Sequence, residues 1–170
     1  MTNGIQDVAL AFEKGEPHVL DQPPRVPAER IFERRMIEQV LVSGTFIGVT
    51  GFLFFNWALA HGWSVDEARN ALLLLMVCFE NAHVFNCRSE WRSVFRCPFR
   101  ANPFLIIAVI CAQAVHIGAM WTPGLCDVLH VQPVSLASWA GIAALSLALI
   151  AVMEFYKWAR PRPGRAGREA

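Results

Sequence analysis

The chain alternates between long uncharged stretches and short segments rich in charge. Residues 40–60 form 21 consecutive positions without a formal charge, residues 103–121 form 19, and residues 134–153 form 20. A helix needs about 20 mostly apolar residues to cross about 30 Å of bilayer hydrocarbon. Three segments therefore have the length and the composition of membrane-spanning helices.

A fourth apolar stretch, ALLLLMVC at residues 71–78, runs directly into the polar sequence FENAHVFNCRSEW at 79–91. The distribution of charge favours a crossing here as well. If all four segments cross, 14 of the 15 Lys and Arg residues lie on one side of the membrane, and only Arg69 lies on the other. Because cytoplasmic loops carry the excess of Lys and Arg, this distribution predicts four spans with both termini cytoplasmic.

The predicted fold is therefore an all-α integral membrane protein, a bundle of four transmembrane helices surrounded by membrane lipid. The spans are expected at about 38–60, 70–87, 103–121 and 134–156. Residues 1–35 are predicted to be a cytoplasmic or interfacial segment, and residues 161–170 a basic cytoplasmic tail. Within the first segment we expect a short interfacial helix with Ile5, Val8, Ala9 and Phe12 toward lipid, followed by an extended Pro-rich connection.

Overall composition agrees with this architecture. The 170 residues suit one domain, and 55% hydrophobic residues alongside 17% charged ones indicate apolar blocks separated by charged loops. The net charge is only +1, which gives no general basic field for a nucleic acid partner.

The most unusual feature is a polar face inside the second span. At 100° per residue, Glu80, His83, Asn86 and Cys87 share an arc of roughly 120°, whereas Asn81 lies off it. A carboxylate at membrane depth costs a few kcal/mol unless protein, water or an ion compensates it. Glu80 is thus either a ligand for a cation or proton, or a protonated or paired residue that holds helices together.

The other polar residues within the spans are predicted to be structural. Gln113 and His116 lie three residues apart on the third span and are expected to hydrogen-bond between helices, as are His83 and Asn86. Glu154 and Lys157 have the same spacing at the cytoplasmic end of the fourth span. We expect them to form an interfacial pair, with the Lys157 ammonium extending toward water.

Two cofactor hypotheses use the same residues. Glu80-x-x-His83 has the spacing of a di-iron ligand pair, but no second Glu-x-x-His occurs in the sequence. Haem between His83 and His116 would need two imidazoles at one depth, yet one lies toward the cytoplasmic end of its span and the other toward the outer end. No cofactor and no catalytic residue are therefore predicted for this chain, and haem or metal binding at His83 and His116 is kept as the third and least favoured alternative.

The order of motifs resembles the C-terminal membrane region of P-type cation-transporting ATPases, from the end of the sixth membrane helix through the tenth. FENAHVFNCRSEWRSVF, at 79–95, is similar to the eighth helix and the loop that follows it. The other matching segments are TNGIQDVALAFEKGEPHVLDQPPR at 2–25, ERIFERRMI at 29–37, NPFLIIAVI at 102–110 and MEFYKWARPR at 153–162.

This resemblance implies three cation-pathway residues. Glu80 falls at the eighth-helix carboxylate that helps to coordinate a transported ion in calcium-pump-like members. Thr2 and Asn3 fall at the sixth-helix Thr-Asp pair, which also supplies ligands. Asn3 replaces the Asp and removes a charge, so the identity of the transported cation is left open.

The resemblance also implies what this chain does not do alone. The Asp-Lys-Thr-Gly phosphorylation motif of the family does not occur in the sequence, and no P-loop replaces it. We therefore expect a support domain for the ion pathway, from a truncated gene or a displaced start codon, whose partners are the remaining helices and cytoplasmic domains of a pump. The alternative is a free-standing small membrane protein that binds separately encoded pump parts or self-associates. Either form is expected in the plasma (inner) membrane.

Overall fold

The computed structural model describes residues 3–15 and 33–160, and this part of the chain is helical without strands. Two 3₁₀ turns, Val94–Arg96 and Phe99–Ala101, lie between the third and fourth helices. The helices are α1 (Asn3–Leu10), α2 (Arg34–Ala60), α3 (Val65–Asn86), α4 (Pro103–Trp121), α5 (Leu125–Leu129) and α6 (Leu136–Ala159).

Three of these helices, α2, α4 and α6, are long and apolar enough to cross a membrane. α2 and α4 contain the first two uncharged segments in full and α6 contains residues 136–153 of the third, so that prediction is confirmed. The 22 residues of α3 give it sufficient length, but it carries Asp66, Glu67, Arg69 and Glu80 and is more polar than the other three. The Pro-rich connection and the basic tail fall at residues 16–32 and 161–170, outside the described residues.

Local hydrogen bonds set where α3 and α4 begin. Glu67 N–H donates to Ser64 Oγ at 3.2 Å, and Ser64 N–H donates to the Glu67 carboxylate at 2.8 Å, so α3 begins five residues before position 70. Leu105 N–H donates to Asn102 Oδ1 at 3.1 Å, and Pro103 occupies the first turn of α4. An asparagine cap followed by proline is a favourable helix start, because proline lacks the N–H that would have no partner there.

Helix α3 lies at the centre of the bundle and packs against α2, α6, α1 and α4. One core cluster joins it to α2 and α6 around Leu74, Leu75, Phe79 and Leu149. Gly51 of α2 allows the close approach, since an added Cβ would lie 2.9 Å from Met76 Cε. α3 is therefore enclosed by protein over much of its surface, which accounts for its tolerance of polar residues.

Hydrogen bonds between chain segments show which helix ends lie together. At one end, which we call the basic end, Arg35 Nη2 donates to Glu90 O at 2.9 Å and Lys157 Nζ donates to Asn86 O at 2.9 Å. At the opposite end, Asn70 Nδ2 donates to Gln132 O at 2.7 Å. Thus α2 and α4 run away from the basic end, and α3 and α6 run toward it.

Helix α1 packs on α4 at the basic end, in an orientation that differs in part from the prediction. Ile5, Val8 and Phe12 are exposed, but Ala9 is fully buried in a second cluster with Val84 and Leu105. The expectation that Ala9 faces lipid is therefore wrong. Its small side chain lets the two helices approach closely, as small residues do between membrane helices.

Candidate functional site

Glu80 lies in the half of α3 nearest the basic end and is partly buried. At 1.5 Å per residue, it is about 9 Å along the axis from the last residue of the helix. Its neighbour Phe79 is fully buried and contacts the ring of Phe46 with centroids 6.0 Å apart. The carboxylate is therefore attached to a helix segment that is firmly anchored in the core.

The two other predicted pathway residues lie near the start of α1. Thr2 is outside the described residues, and Asn3 is the first residue of α1, with a side chain that the structure does not describe. The helix they lead into meets α3 next to Glu80, because the Gln6 side-chain amide donates to Asn81 Oδ1. The structure thus brings the middle of α1 and the Glu80 region of α3 into the same part of the bundle.

Side-chain amides connect three helices at this point. Asn81 Nδ2 donates to Gln113 Oε1 of α4 at 2.9 Å, in addition to accepting from Gln6. The buried Gln113 Nε2 has no hydrogen-bond partner among residues 3–15 and 33–160. Asn81 and Gln6 are not among the residues predicted from the sequence. The only signal for Asn81 is its polarity, because it lies off the arc that contains Glu80.

Other polar atoms on the predicted face of α3 and on α4 are buried. Asn86 is 3% exposed, and neither side-chain amide atom has a partner in the described part of the chain. The same holds for His83 Nδ1 and His116 Nε2. Hydrogen bonds between helices are therefore formed by Gln113, but the structure gives none to these particular atoms of His83, Asn86 and His116.

Glu154 and Lys157 form hydrogen bonds to the end of α3 and to the loop between α3 and α4. Val94 N–H donates to Glu154 Oε1 at 2.8 Å, and Lys157 Nζ donates to the carbonyl oxygens of Asn86 at 2.9 Å and Arg92 at 3.1 Å. Lys157 is only 6% exposed, so the predicted extension toward water does not occur. The last carbonyl groups of a helix need donors, and a nearby lysine satisfies one of them here.

A buried ion pair fixes the segment after α1. Arg88 Nε and Nη2 donate to the two carboxylate oxygens of Glu13 at 3.0 and 2.8 Å, and the side chains are 1% and 16% exposed respectively. Burial would raise the pKa of Glu13. The hydrogen bonds from Arg88 and Asn102 and the positive charge of Arg88 outweigh burial, so the pKa lies below the usual value of 4.5. Glu13 is therefore held as a carboxylate.

The described residues alone do not form a metal centre. Among residues 3–15 and 33–160, no group of three or more His, Cys, Asp or Glu side chains is placed to hold an ion. A hard cation such as Ca²⁺ takes six to eight oxygen ligands. Glu80 supplies one carboxylate toward such a set.

A helical bundle with three membrane-length helices and a carboxylate in its central helix defines an integral membrane protein with a candidate ion-pathway residue. The sequence profile of the family described as "Cation transporting ATPase, C-terminus" matches residues 1–159. The chain belongs to this family.

Curated relatives are whole ATPases of which this chain matches a small part. It is 29% identical over 154 residues to a "Probable cation-transporting ATPase F" of Mycobacterium tuberculosis (strain ATCC 25618 / H37Rv), covering 90% of this chain and 17% of the relative. It is 28% identical over 147 residues to a "Calcium-transporting ATPase" of Bacillus subtilis (strain 168), covering 86% and 16%. The chain therefore spans about a sixth of the length of these relatives.

Proposed function

We propose that this chain supports the ion pathway of a P-type cation pump and contributes the Glu80 carboxylate as a ligand for the transported cation. The family match over residues 1–159 carries the proposal. The position of Glu80 supports it, because a partly buried carboxylate in a membrane bundle is stabilised by a bound cation or an equivalent partner.

Thr2 and Asn3 are the other two proposed ligands for the cation. Thr2 and Asn3, which match the sixth-helix ligand pair of the family, would offer a hydroxyl and an amide oxygen to the same cation as Glu80, and α1, which begins at Asn3, meets α3 through Gln6 and Asn81. Asn3 brings no negative charge to this set, so the identity of the cation is left to measurement. Phosphorylation and nucleotide binding would be supplied by the remaining domains of the pump.

The proposed topology has four spans, with the basic end of the bundle in the cytoplasm. Helices α2 and α4 both run away from the basic end and both have membrane length. If both cross, the chain must return between them, and α3 is the helix that makes this return. The basic end carries Arg34, Arg88, Arg92 and Arg160, whereas the opposite end carries Arg69, as expected for a cytoplasmic basic end.

Labelling of single cysteines tests this topology. With the native cysteines replaced, Asp66→Cys and Glu90→Cys place thiols at two exposed positions, one at each end of α3. A membrane-impermeant maleimide should label position 66 on intact cells and position 90 only after permeabilisation. Labelling of both positions from the same side would show that α3 does not cross, and absence of surface labelling would argue against the plasma membrane.

Glu80→Gln tests the ligand. A chimaera carries residues 1–159 in place of the matching region of the Mycobacterium tuberculosis relative, and the cation dependence of its phosphorylation is measured. Glu80→Gln should raise the half-maximal cation concentration by about tenfold or more, equivalent to about 1.4 kcal/mol, because a neutral amide replaces a charged ligand.

Glu90→Gln provides the matched control for this experiment. It makes the same chemical change in the exposed loop after α3, and it keeps the Glu90 carbonyl oxygen that accepts from Arg35. Its cation dependence should match that of the unmodified chimaera. If Glu80→Gln also leaves the cation dependence unchanged, Glu80 is a packing residue and the ligand assignment fails.

A further inference from the structure

The loop between α3 and α4 presents arginine and phenylalanine side chains on its outer surface. Residues 92–100 read RSVFRCPFR, and we call them the arginine–phenylalanine loop. Phe95 is 79% exposed and Phe99 is 50% exposed, whereas Val94 and Cys97 are buried. The loop therefore has an inner side that packs on the bundle and an outer side that carries Arg92, Arg96 and Arg100 together with the two aromatic rings.

Polar contacts from the bundle hold the inner side in place. Glu154 accepts from Val94 N–H, and Lys157 donates to Arg92 O. Arg88 Nη1 donates to Cys97 O at 3.1 Å, and Arg88 Nη2 donates to Pro98 O at 3.0 Å. Because the backbone is fixed at several points, little conformational entropy is lost when the outer side binds a ligand.

The position of the loop along the bundle places it at a membrane surface. The membrane-length helix α4 begins at Pro103, soon after Arg100. Phe99 contacts Phe85 of α3 with ring centroids 5.7 Å apart. Exposed aromatic side chains continue around this end of the bundle, as in the interfacial belts of membrane proteins: they are Phe12, Phe104, Phe155 and Trp158.

The charges on the outer side are largely unneutralised. Arg92 donates to Arg96 O at 3.0 Å, and no hydrogen bond or ion pair to a described residue is formed by the guanidinium groups of Arg96 and Arg100. The nearby carboxylates of Glu13 and Glu154 are already engaged with Arg88 and the Val94 backbone. The exposed Glu90 contributes one negative charge near the loop, which is less than the three positive charges of Arg92, Arg96 and Arg100.

We propose that the arginine–phenylalanine loop binds the phosphate groups of anionic phospholipids, with the rings of Phe95 and Phe99 in the boundary between headgroups and acyl chains. Phosphate oxygens accept from guanidinium groups, and basic residues next to a membrane helix attract anionic lipid. A lipid fits this surface better than a water-soluble protein does, because the exposed rings lie beside the start of a membrane helix. The inference rests on the chain being a membrane domain but not on Glu80 being a ligand.

Native mass spectrometry of the full chain in detergent tests the proposal. The protein is titrated with phosphatidylglycerol or phosphatidylcholine of matched acyl chains. The unmodified chain should prefer phosphatidylglycerol, and Arg96→Gln and Arg100→Gln should each weaken its binding about fivefold, equivalent to about 1 kcal/mol per basic residue. Binding of phosphatidylcholine should not change, and Phe95→Ser should weaken the binding of both lipids.

Arg69→Gln is the matched control, since it removes an exposed arginine at the opposite end of α3. It should leave the lipid preference intact, and circular dichroism should give the same helical content for every variant. Equal binding of the two lipids by the unmodified chain overturns the proposal, as does a preference that survives Arg96→Gln with Arg100→Gln.

If the double variant keeps its lipid preference but lowers activity in the pump chimaera, the loop contacts a protein domain and the lipid proposal is wrong. Lipid binding is measured without transport, so a failed Glu80 experiment leaves this result unaffected.

Discussion

Two regions of the bundle are joined to α3 by different kinds of contact. Helices α2 and α6 pack on it through the apolar cluster around Leu74, Leu75 and Leu149. The segment containing α1 is held on α3 and α4 by a small apolar cluster around Ala9, and by two polar connections: Gln6 to Asn81, and Glu13 to Arg88. The first region depends mainly on apolar packing, with polar contacts from Lys157 and Arg35 at the basic end, and the second depends largely on charge and hydrogen bonding.

This difference predicts different responses to substitution. Apolar packing involves many weak contacts, so a single substitution lowers the free energy of unfolding according to the volume that it adds or removes. A buried charge has few partners, and removing one of them leaves the other uncompensated. The α1 region should therefore be disrupted by single polar changes that the α2, α3 and α6 region would tolerate.

The largest effect is expected from Arg88→Gln, which leaves the Glu13 carboxylate without its ion-pair partner. Loss of one member of a buried pair typically costs about 3–5 kcal/mol. The free energy of unfolding in a detergent titration should fall by this amount, and the chain should be cleaved faster near Gly15 in limited proteolysis. Adding Glu13→Gln to the same variant should recover part of the loss, because it removes the unpaired charge.

Arg34→Gln is the control for that change. Arg34 pairs with Glu38 at 3.0 Å, but its side chain is 87% exposed. An exposed pair contributes at most about 1 kcal/mol, so this variant should unfold almost like the unmodified chain. Equal losses for Arg34→Gln and Arg88→Gln would contradict the view that the α1 region depends on its buried pair.

A smaller effect is expected from Gly51→Leu in the apolar region. A Cβ at Gly51 would lie 2.9 Å from Met76 Cε and 3.4 Å from Leu72 Cδ1, so a leucine there must displace the ends of these two side chains. Overpacking of this kind costs about 1–3 kcal/mol. Gly48→Leu is the matched control on the same helix, because a Cβ there meets nothing within 4 Å. A similar loss of free energy of unfolding for both variants would show that the close contact between α2 and α3 is not at Gly51.

Three of the spans could be predicted because a membrane imposes a strong and local requirement on the sequence. Residues 103–121 contain no formal charge and form α4 with the predicted bounds. The early start of α3 at Val65 follows from Ser64 and Glu67, a capping pair that is visible in the sequence. α5 is short and carries no periodic pattern, so sequence reasoning does not find it.

The sequence assigns a polar residue to a face of its own helix, but it does not give the partner of that residue on another helix. Helical periodicity gives the face on which Glu80 and His83 lie, but it does not say which face meets α4. The contact from Asn81 to Gln113 depends on that packing. Arg88 and Glu13 are separated by 75 residues, and nothing local to either predicts the pair. Lys157 differs from its prediction because the end of α3 supplies carbonyl groups within its reach.

The Asn102 side chain links the start of α4 to α1. The Asn102 amide accepts from Leu105 N–H with its oxygen, and with its nitrogen it donates to Ala9 O at 2.9 Å and Glu13 Oε2 at 3.1 Å. If α4 tilts or rotates and keeps both hydrogen bonds from the Asn102 amide nitrogen, α1 must move with it. Such a movement would then have to break or stretch the contacts of α1 with α3, from Gln6 to Asn81 and from Glu13 to Arg88.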